Sequence, residues 1–184
     1  MKKILTLCLA VLTAAVTVNA KDYKHSIGMV AGTGIGVQYK VMPKEHFTII
    51  VEEGFAFCPS RTANVGGYQS WATNCVLAYQ TKPLAEGQGI KLGVYAGGQV
   101  KFHYVFDNAG LIGFGAAAGI EANMTNAPIA FSFDFRPGYG CLITSTGGWT
   151  IDPVTGDLVP AGGGNVMATH LFDYSLNLGI RYTF

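Results

Sequence analysis

The sequence predicts an all-β chain, an eight-stranded antiparallel up-and-down transmembrane β-barrel, on three observations. First, residues 170–184 (HLFDYSLNLGIRYTF) place Phe172, Tyr174, Leu176, Leu178, Ile180, Tyr182 and Phe184 on one parity and Asp173, Ser175, Asn177, Arg181 and Thr183 on the other. Side chains of a strand point alternately to opposite faces, so this segment shows an apolar wall to one environment and hydrogen-bonding groups to another. Second, the same alternation recurs upstream. Third, 25 glycines and only 12% charged residues accompany a positive mean hydropathy. That composition is odd for a soluble globule and suits a sheet that closes on itself in lipid, apolar outside and polar inside.

The elements follow in order. Residues 25–33 supply a glycine-rich first strand, and residues 35–41 set Ile35, Val37, Tyr39 and Val41 against Gly36, Gln38 and Lys40. Residues 47–57 give Phe47, Ile49, Val51, Phe55 and Phe57 one parity, which also aims Glu53 at lipid. A bulge near Glu52-Glu53-Gly54 is therefore expected to reset the face. Residues 71–81 set Leu77 and Tyr79 against Asn74 and Gln80, and residues 90–106 set Val100, Phe102 and Tyr104 against Gln99, Lys101 and His103. Residues 110–124 place Phe114 and Ile120 opposite Gly113 and Glu121. Residues 129–136 alternate strictly, with Ile129, Phe131, Phe133 and Phe135 against Ala130, Ser132, Asp134 and Arg136. Residues 170–184 close the set at eight.

Residues 1–20 read as a secretory signal peptide: Lys2 and Lys3 precede an apolar run, and Val18-Asn19-Ala20 supplies small residues for cleavage. The run is short for a ~30 Å hydrocarbon core, which argues against a transmembrane helix. Residues 21–184 then form the barrel, and the cell outer membrane is its expected destination. Without Lys2 and Lys3 the chain holds ten Lys and Arg against eleven Asp and Glu. A balance so near zero, with no basic run, excludes nucleic acid as a partner.

Polar turns punctuated by Pro or Gly at residues 42–46, 82–89 and 125–128 fit the periplasmic side, together with both termini. The outer connections then fall at residues 32–34, 58–70, 107–110 and 140–169. Within the last, Asp152-Pro153-Val154-Thr155-Gly156-Asp157 reads as the turn of a small hairpin, and Tyr139 and Trp149 fall where an outer aromatic girdle belongs. Cys58 and Cys75 flank the polar segment 59–70, so a disulfide between them and two unpaired thiols are both open readings. No closely spaced Cys or His pairs suggest a metal, and no Gly-Lys-Ser/Thr follows Gly162-Gly163-Gly164 to suggest a nucleotide. No cofactor is expected.

The inward parity collects Lys40, Lys91, Lys101, His103, Glu121, Asp134, Arg136, Asp173 and Arg181, with Glu52 as a further candidate and Gln38, Tyr95, Gln99 and Asn177 as neutral fillers. A barrel of eight strands has room for side chains and little else, so these charges are expected to pair across the lumen as a polar plug. His103 alone among them could titrate near neutral pH. Catalysis would need a nucleophile beside a base. The sequence scatters the candidates: His25 and Ser26 alternate faces, His170 and Asp173 differ in facing, and Ser132 and Asp134 have no nearby His. No catalytic residue is assigned.

The run Gly119-Ile120-Glu121, Asn126-Ala127-Pro128-Ile129-Ala130-Phe131-Ser132-Phe133-Asp134-Phe135-Arg136-Pro137 and the terminal Gly179-Ile180-Arg181-Tyr182-Thr183-Phe184 resembles the small outer-membrane β-barrel proteins of Bacteroidetes-type bacteria. Ser26-Ile27-Gly28 and Gly36-Val37-Gln38-Tyr39-Lys40 are also similar to that family. Phe135 stands where the family often has Trp. The resemblance implies an eight-stranded barrel and brings no settled activity, so no functional residue is carried over.

Ile180, Tyr182 and Phe184 are read as the barrel-insertion signal. The expected partners are outer-membrane lipid, the barrel-assembly machinery during insertion, and an outer-membrane protein partner. The function expected is structural or interactive, in envelope stability, loop presentation or as accessory subunit of a larger complex, and non-enzymatic. A narrow channel for small solutes or ions and a lipid-modifying enzyme are the alternatives. A soluble lipocalin-like barrel would reverse the faces, with apolar side chains inside.

Overall fold

A computed structural model describes residues 23–58, 68–105, 109–145, 149–151, 158–160 and 166–184. The proposed signal peptide lies outside them. Eight strands form one closed antiparallel ring: β1 (His25–Gly32), β2 (Gly34–Lys44), β3 (Phe47–Cys58), β4 (Tyr68–Gln80), β6 (Ile90–Val105), β7 (Ala109–Met124), β8 (Ile129–Ser145) and β11 (Val166–Thr183). Each pairs with its sequence neighbour in the ring, and β1 closes on β11. The registers run from Ser26↔Thr183 to Gly32↔Asn177 at that seam, and the His25 and Phe184 backbones exchange hydrogen bonds of 3.0 and 2.8 Å beyond it. Full closure leaves no unpaired ring edge.

Three short strands were not separately expected or only partly so. β5 (Ala85–Gly87) lies inside the turn predicted at residues 82–89 and pairs with the start of β6, Gly87↔Ile90 to Ala85↔Leu92, before β4 takes over at Gln80↔Tyr95. β9 (Trp149–Ile151) and β10 (Leu158–Pro160) pair antiparallel, as the hairpin reading of the longest loop predicted; its turn lies outside the described residues. The β2 strand also runs on to Lys44, which shortens the predicted turn at residues 42–46, and His46 takes φ 71° to reverse the chain.

The faces sort as the alternation requires. Phe114, Leu178 and Tyr79 are 67%, 64% and 61% exposed on the outside, whereas Asp134, Arg136, Arg181 and Glu121 are at most 1% exposed inside. This is the reverse of a lipocalin-like barrel. Aromatic contacts gather toward both ends of the wall. Near the termini, His25 stacks on Phe184 at 5.8 Å and His46 on Tyr79 at 5.2 Å. Toward the opposite end, Phe55 meets Trp71 edge-on at 4.9 Å and Tyr139 stacks on His170 at 5.6 Å.

One expectation about β3 is corrected. No bulge occurs at Glu52-Glu53-Gly54: the pairing with β2 is continuous through Gln38↔Glu52, Val37↔Glu53 and Gly36↔Gly54, and the register shift lies between Val41 and Lys44. Glu52 therefore points inward and Glu53 outward. The Glu53 carboxylate accepts hydrogen bonds from Trp71 Nε1 at 2.8 Å and Thr73 Oγ1 at 2.7 Å. These two donors on β4 make an outward carboxylate tolerable where a bulge was expected to remove it.

The disulfide reading is corrected by the same ladder. Cys75 sits opposite Val51 while Cys58 sits opposite Tyr68, seven residues further along β3, and Cys75 is a free thiol. At roughly 3.3 Å per residue the two positions are about 23 Å apart, against the 4.4–6.8 Å between Cα atoms that a disulfide spans. Peptide mapping of the folded protein without reductant is expected to recover Cys58 and Cys75 in unlinked peptides; a linked pair would contradict the register of β3 and β4.

Candidate functional site

The lumen is the candidate site, and its residues reach it from the inward parity of seven strands. Among the described residues, Lys40, Lys101, Arg136 and Arg181 are buried there with Glu52, Glu121, Asp134 and Asp173, four cations against four anions. Neutrality matters because an isolated charge removed from water costs many kcal/mol, and only pairing with further hydrogen bonds offsets that.

Nearest the termini, Glu121 on β7 is the hub. Its Oε2 lies 2.7 Å from Lys40 Nζ of β2 and is bonded by Arg181 of β11. Its Oε1 accepts from Gln80 Nε2 at 3.0 Å, from Asn123 Nδ2 at 3.1 Å and from the Tyr23 hydroxyl. Lys40 also donates to Gln80 Oε1 at 2.7 Å, and Thr48 donates to the same oxygen at 3.1 Å. Burial, and then the adjacent Glu121 carboxylate, push the Tyr23 phenol well above its ordinary value, so Tyr23 stays a donor.

A second layer centres on Arg136 of β8. Its two terminal nitrogens donate to the two Glu52 oxygens at 2.6 Å each, the bidentate geometry a guanidinium favours, and its Nε lies 2.5 Å from Asp134 Oδ1. Asp134 also accepts from the Tyr95 hydroxyl at 2.9 Å and from Asn177 Nδ2 at 3.2 Å. Gln38 joins the layers: its amide nitrogen donates to Glu52 and its amide oxygen accepts from Arg181. Tyr95 fits because Gly119 faces it across the β6–β7 ladder; a Cβ there would stand 2.6 Å from Tyr95 Cζ. Further along, Lys101 of β6 bonds Asp173 of β11.

Eight of the nine residues assigned to the lumen network from sequence are buried inside the barrel. Lys91 is the exception. It sits at the rim, where its ammonium lies 3.5 Å from Glu86 of β5, because the β5 hairpin carries that carboxylate alongside the first residues of β6. Sequence reasoning missed Tyr23, which precedes the first alternating segment and so carried no facing signal. Ile180 and Phe184, of the predicted insertion signal, are exposed on the outer wall, with Tyr182 half-buried beside them.

The fold also makes a meeting that spacing along the chain conceals. Asn74 and Ser70 on β4 flank His103 on β6, with His103 Nδ1 3.3 Å from Ser70 Oγ and Nε2 3.4 Å from Asn74 Oδ1. A hydroxyl, an imidazole and an amide in contact have the composition of a nucleophile, base and orienting group. Here Ser70 is fully buried, and the adjoining space within the barrel is a cavity of about 60 Å³. That is far below the roughly 300–1,000 Å³ of a ligand pocket.

Among the described residues no group of three or more His, Cys, Asp or Glu is placed to hold a metal ion, and no helix is long and apolar enough to cross a membrane. No protein-family model matches the chain, and no curated protein matches it.

Proposed function

We propose that the chain is an integral outer-membrane β-barrel whose role is structural or interactive: it stabilises the envelope, presents its loops, or accompanies a larger complex. The observation that carries this is one pairing of faces. An apolar outer wall surrounds a lumen crossed by ion pairs, Lys40–Glu121–Arg181, Glu52–Arg136–Asp134 and Lys101–Asp173. The wall suits lipid, and the bonds across the lumen leave no wide aqueous path. The Asn126-Ala127-Pro128 run and the terminal Gly179-Ile180-Arg181-Tyr182-Thr183-Phe184 support a place among the small outer-membrane barrels of Bacteroidetes-type bacteria. Membrane lipid and the assembly machinery that inserts such barrels are the partners this role requires.

Planar bilayers test it. The purified protein is expected to give no discrete conductance at high load. Discrete steps that change when Lys101 or Asp134 loses its charge would make the chain a channel instead. A lipid-modifying activity would appear as a difference in the mass spectra of lipid A from cells with and without the protein; identical spectra are expected.

A further inference from the structure

The end of the barrel that carries the chain termini opens into a cup of about 520 Å³, a volume within the range of small-ligand sites. Its floor is the plug itself: Tyr23, Gln80 and Asn123 line it, and all three are committed to Glu121. Its walls are basic. Among the described residues, Lys24, Lys44, Lys82 and Lys91 line the cup with Glu45 as the single carboxylate. Lys82 stands 3.9 Å from Glu45, and Lys91 leans on Glu86 outside the cup, while Lys24 and Lys44 form no ion pair among the described residues. Since the described lumen charges cancel four against four, the excess of ammonium groups among the cup's described residues favours an anion at this mouth. Met42, Pro43 and Pro83 add an apolar side to the wall, and Leu84 just beyond them is 65% exposed.

We propose that this cup binds a phosphate ester. A phosphate offers several oxygens and up to two negative charges to the ammonium groups that line the cup, which bind it as point charges, and the apolar wall takes the organic body. The two sources of that chemistry are a phospholipid headgroup of the adjacent leaflet and a free phosphate ester. The inference goes beyond the envelope role and needs only the folded barrel mouth; the headgroup source alone depends on the membrane reading.

The test is calorimetric titration of the full mature barrel, folded in an uncharged maltoside detergent at low ionic strength, with sn-glycerol 3-phosphate and with dihexanoylphosphatidylglycerol. Saturable binding is expected to at least one of them. Tighter binding of the lipid assigns a headgroup, and equal or tighter binding of glycerol phosphate assigns a free ester. Lys24→Gln combined with Lys44→Gln is expected to weaken binding about tenfold, as loss of two exposed charge contacts predicts. Glu45→Gln, which removes the opposing carboxylate, is expected to tighten it, so that a folding defect cannot mimic the result. No saturable heat with either compound, or the same affinity in the lysine double variant, would overturn the proposal. A chain that does not fold as a membrane barrel would fail earlier, by running free of detergent micelles, and that failure is distinct from an empty cup.

Discussion

Replacing Glu121 with alanine is expected to lower the unfolding free energy by about 3–5 kcal/mol, the cost of leaving buried charges without their partner. The size follows from the position of this carboxylate between Lys40 and Arg181, both fully buried and both bonded to Glu121. Removing it strands two cations at once and takes away the acceptor of the Gln80 amide N–H and of the Tyr23 hydroxyl proton. Lys40→Met is expected to cost less, because Glu121 keeps Arg181 and the plug loses one charge rather than its hub. Urea titration in lipid vesicles, followed by the intrinsic fluorescence of Trp71 and Trp149, measures both. Equal small losses would mean that the network is not continuous across the lumen.

Gly28→Ala is expected to cost about 3 kcal/mol or more, at the upper end of what inserting one methyl into a packed site usually does. Gly28 stands at the closing seam opposite Arg181, and a Cβ on it would lie 1.9 Å from the Ile180 carbonyl oxygen and 2.6 Å from Arg181 Cα. Those are backbone atoms, so no rotamer change relieves the contact; β1 and β11 must separate. Separation loosens Arg181, which ties Glu121 to Gln38 and to Ser132 Oγ at 3.1 Å. Ala31→Val, an outward change three residues along the same strand, is the comparison and is expected to shift stability by less than about 0.5 kcal/mol. The unfolding midpoints of the two variants decide between a seam-specific effect and a general weakening of β1.

What the sequence showed of this fold it showed through period. Strict alternation at Ile129 to Arg136 and at Phe172 to Phe184 assigned inside and outside residue by residue, because a strand has no other way to place consecutive side chains. The same logic went wrong where it met a charge. Two adjacent glutamates on β3 cannot both face the lumen, and a bulge was one way out. The chain instead keeps its register and gives Glu53 two donors, Trp71 and Thr73, that lie on the next strand and 18 to 20 residues away. Cys58 and Cys75 misled for a related reason: closeness in sequence around a loop says nothing of the seven-residue offset that the β3–β4 register imposes. Lys91 has inward parity but sits at the start of β6, where parity ceases to mean burial. Tyr23 has no parity to read, and Ser70, Asn74 and His103 meet only because β4 and β6 become neighbours in the ring.

Membrane fractionation decides whether the closed ring sits in the outer membrane with its polar plug inside, as proposed. Cells expressing the full chain are expected to carry the protein in the outer-membrane fraction, resistant to carbonate extraction, and its electrophoretic migration is expected to shift on boiling as the closed ring unfolds. Recovery of a folded chain in the periplasmic soluble fraction without detergent, with migration unchanged by heat, would contradict it.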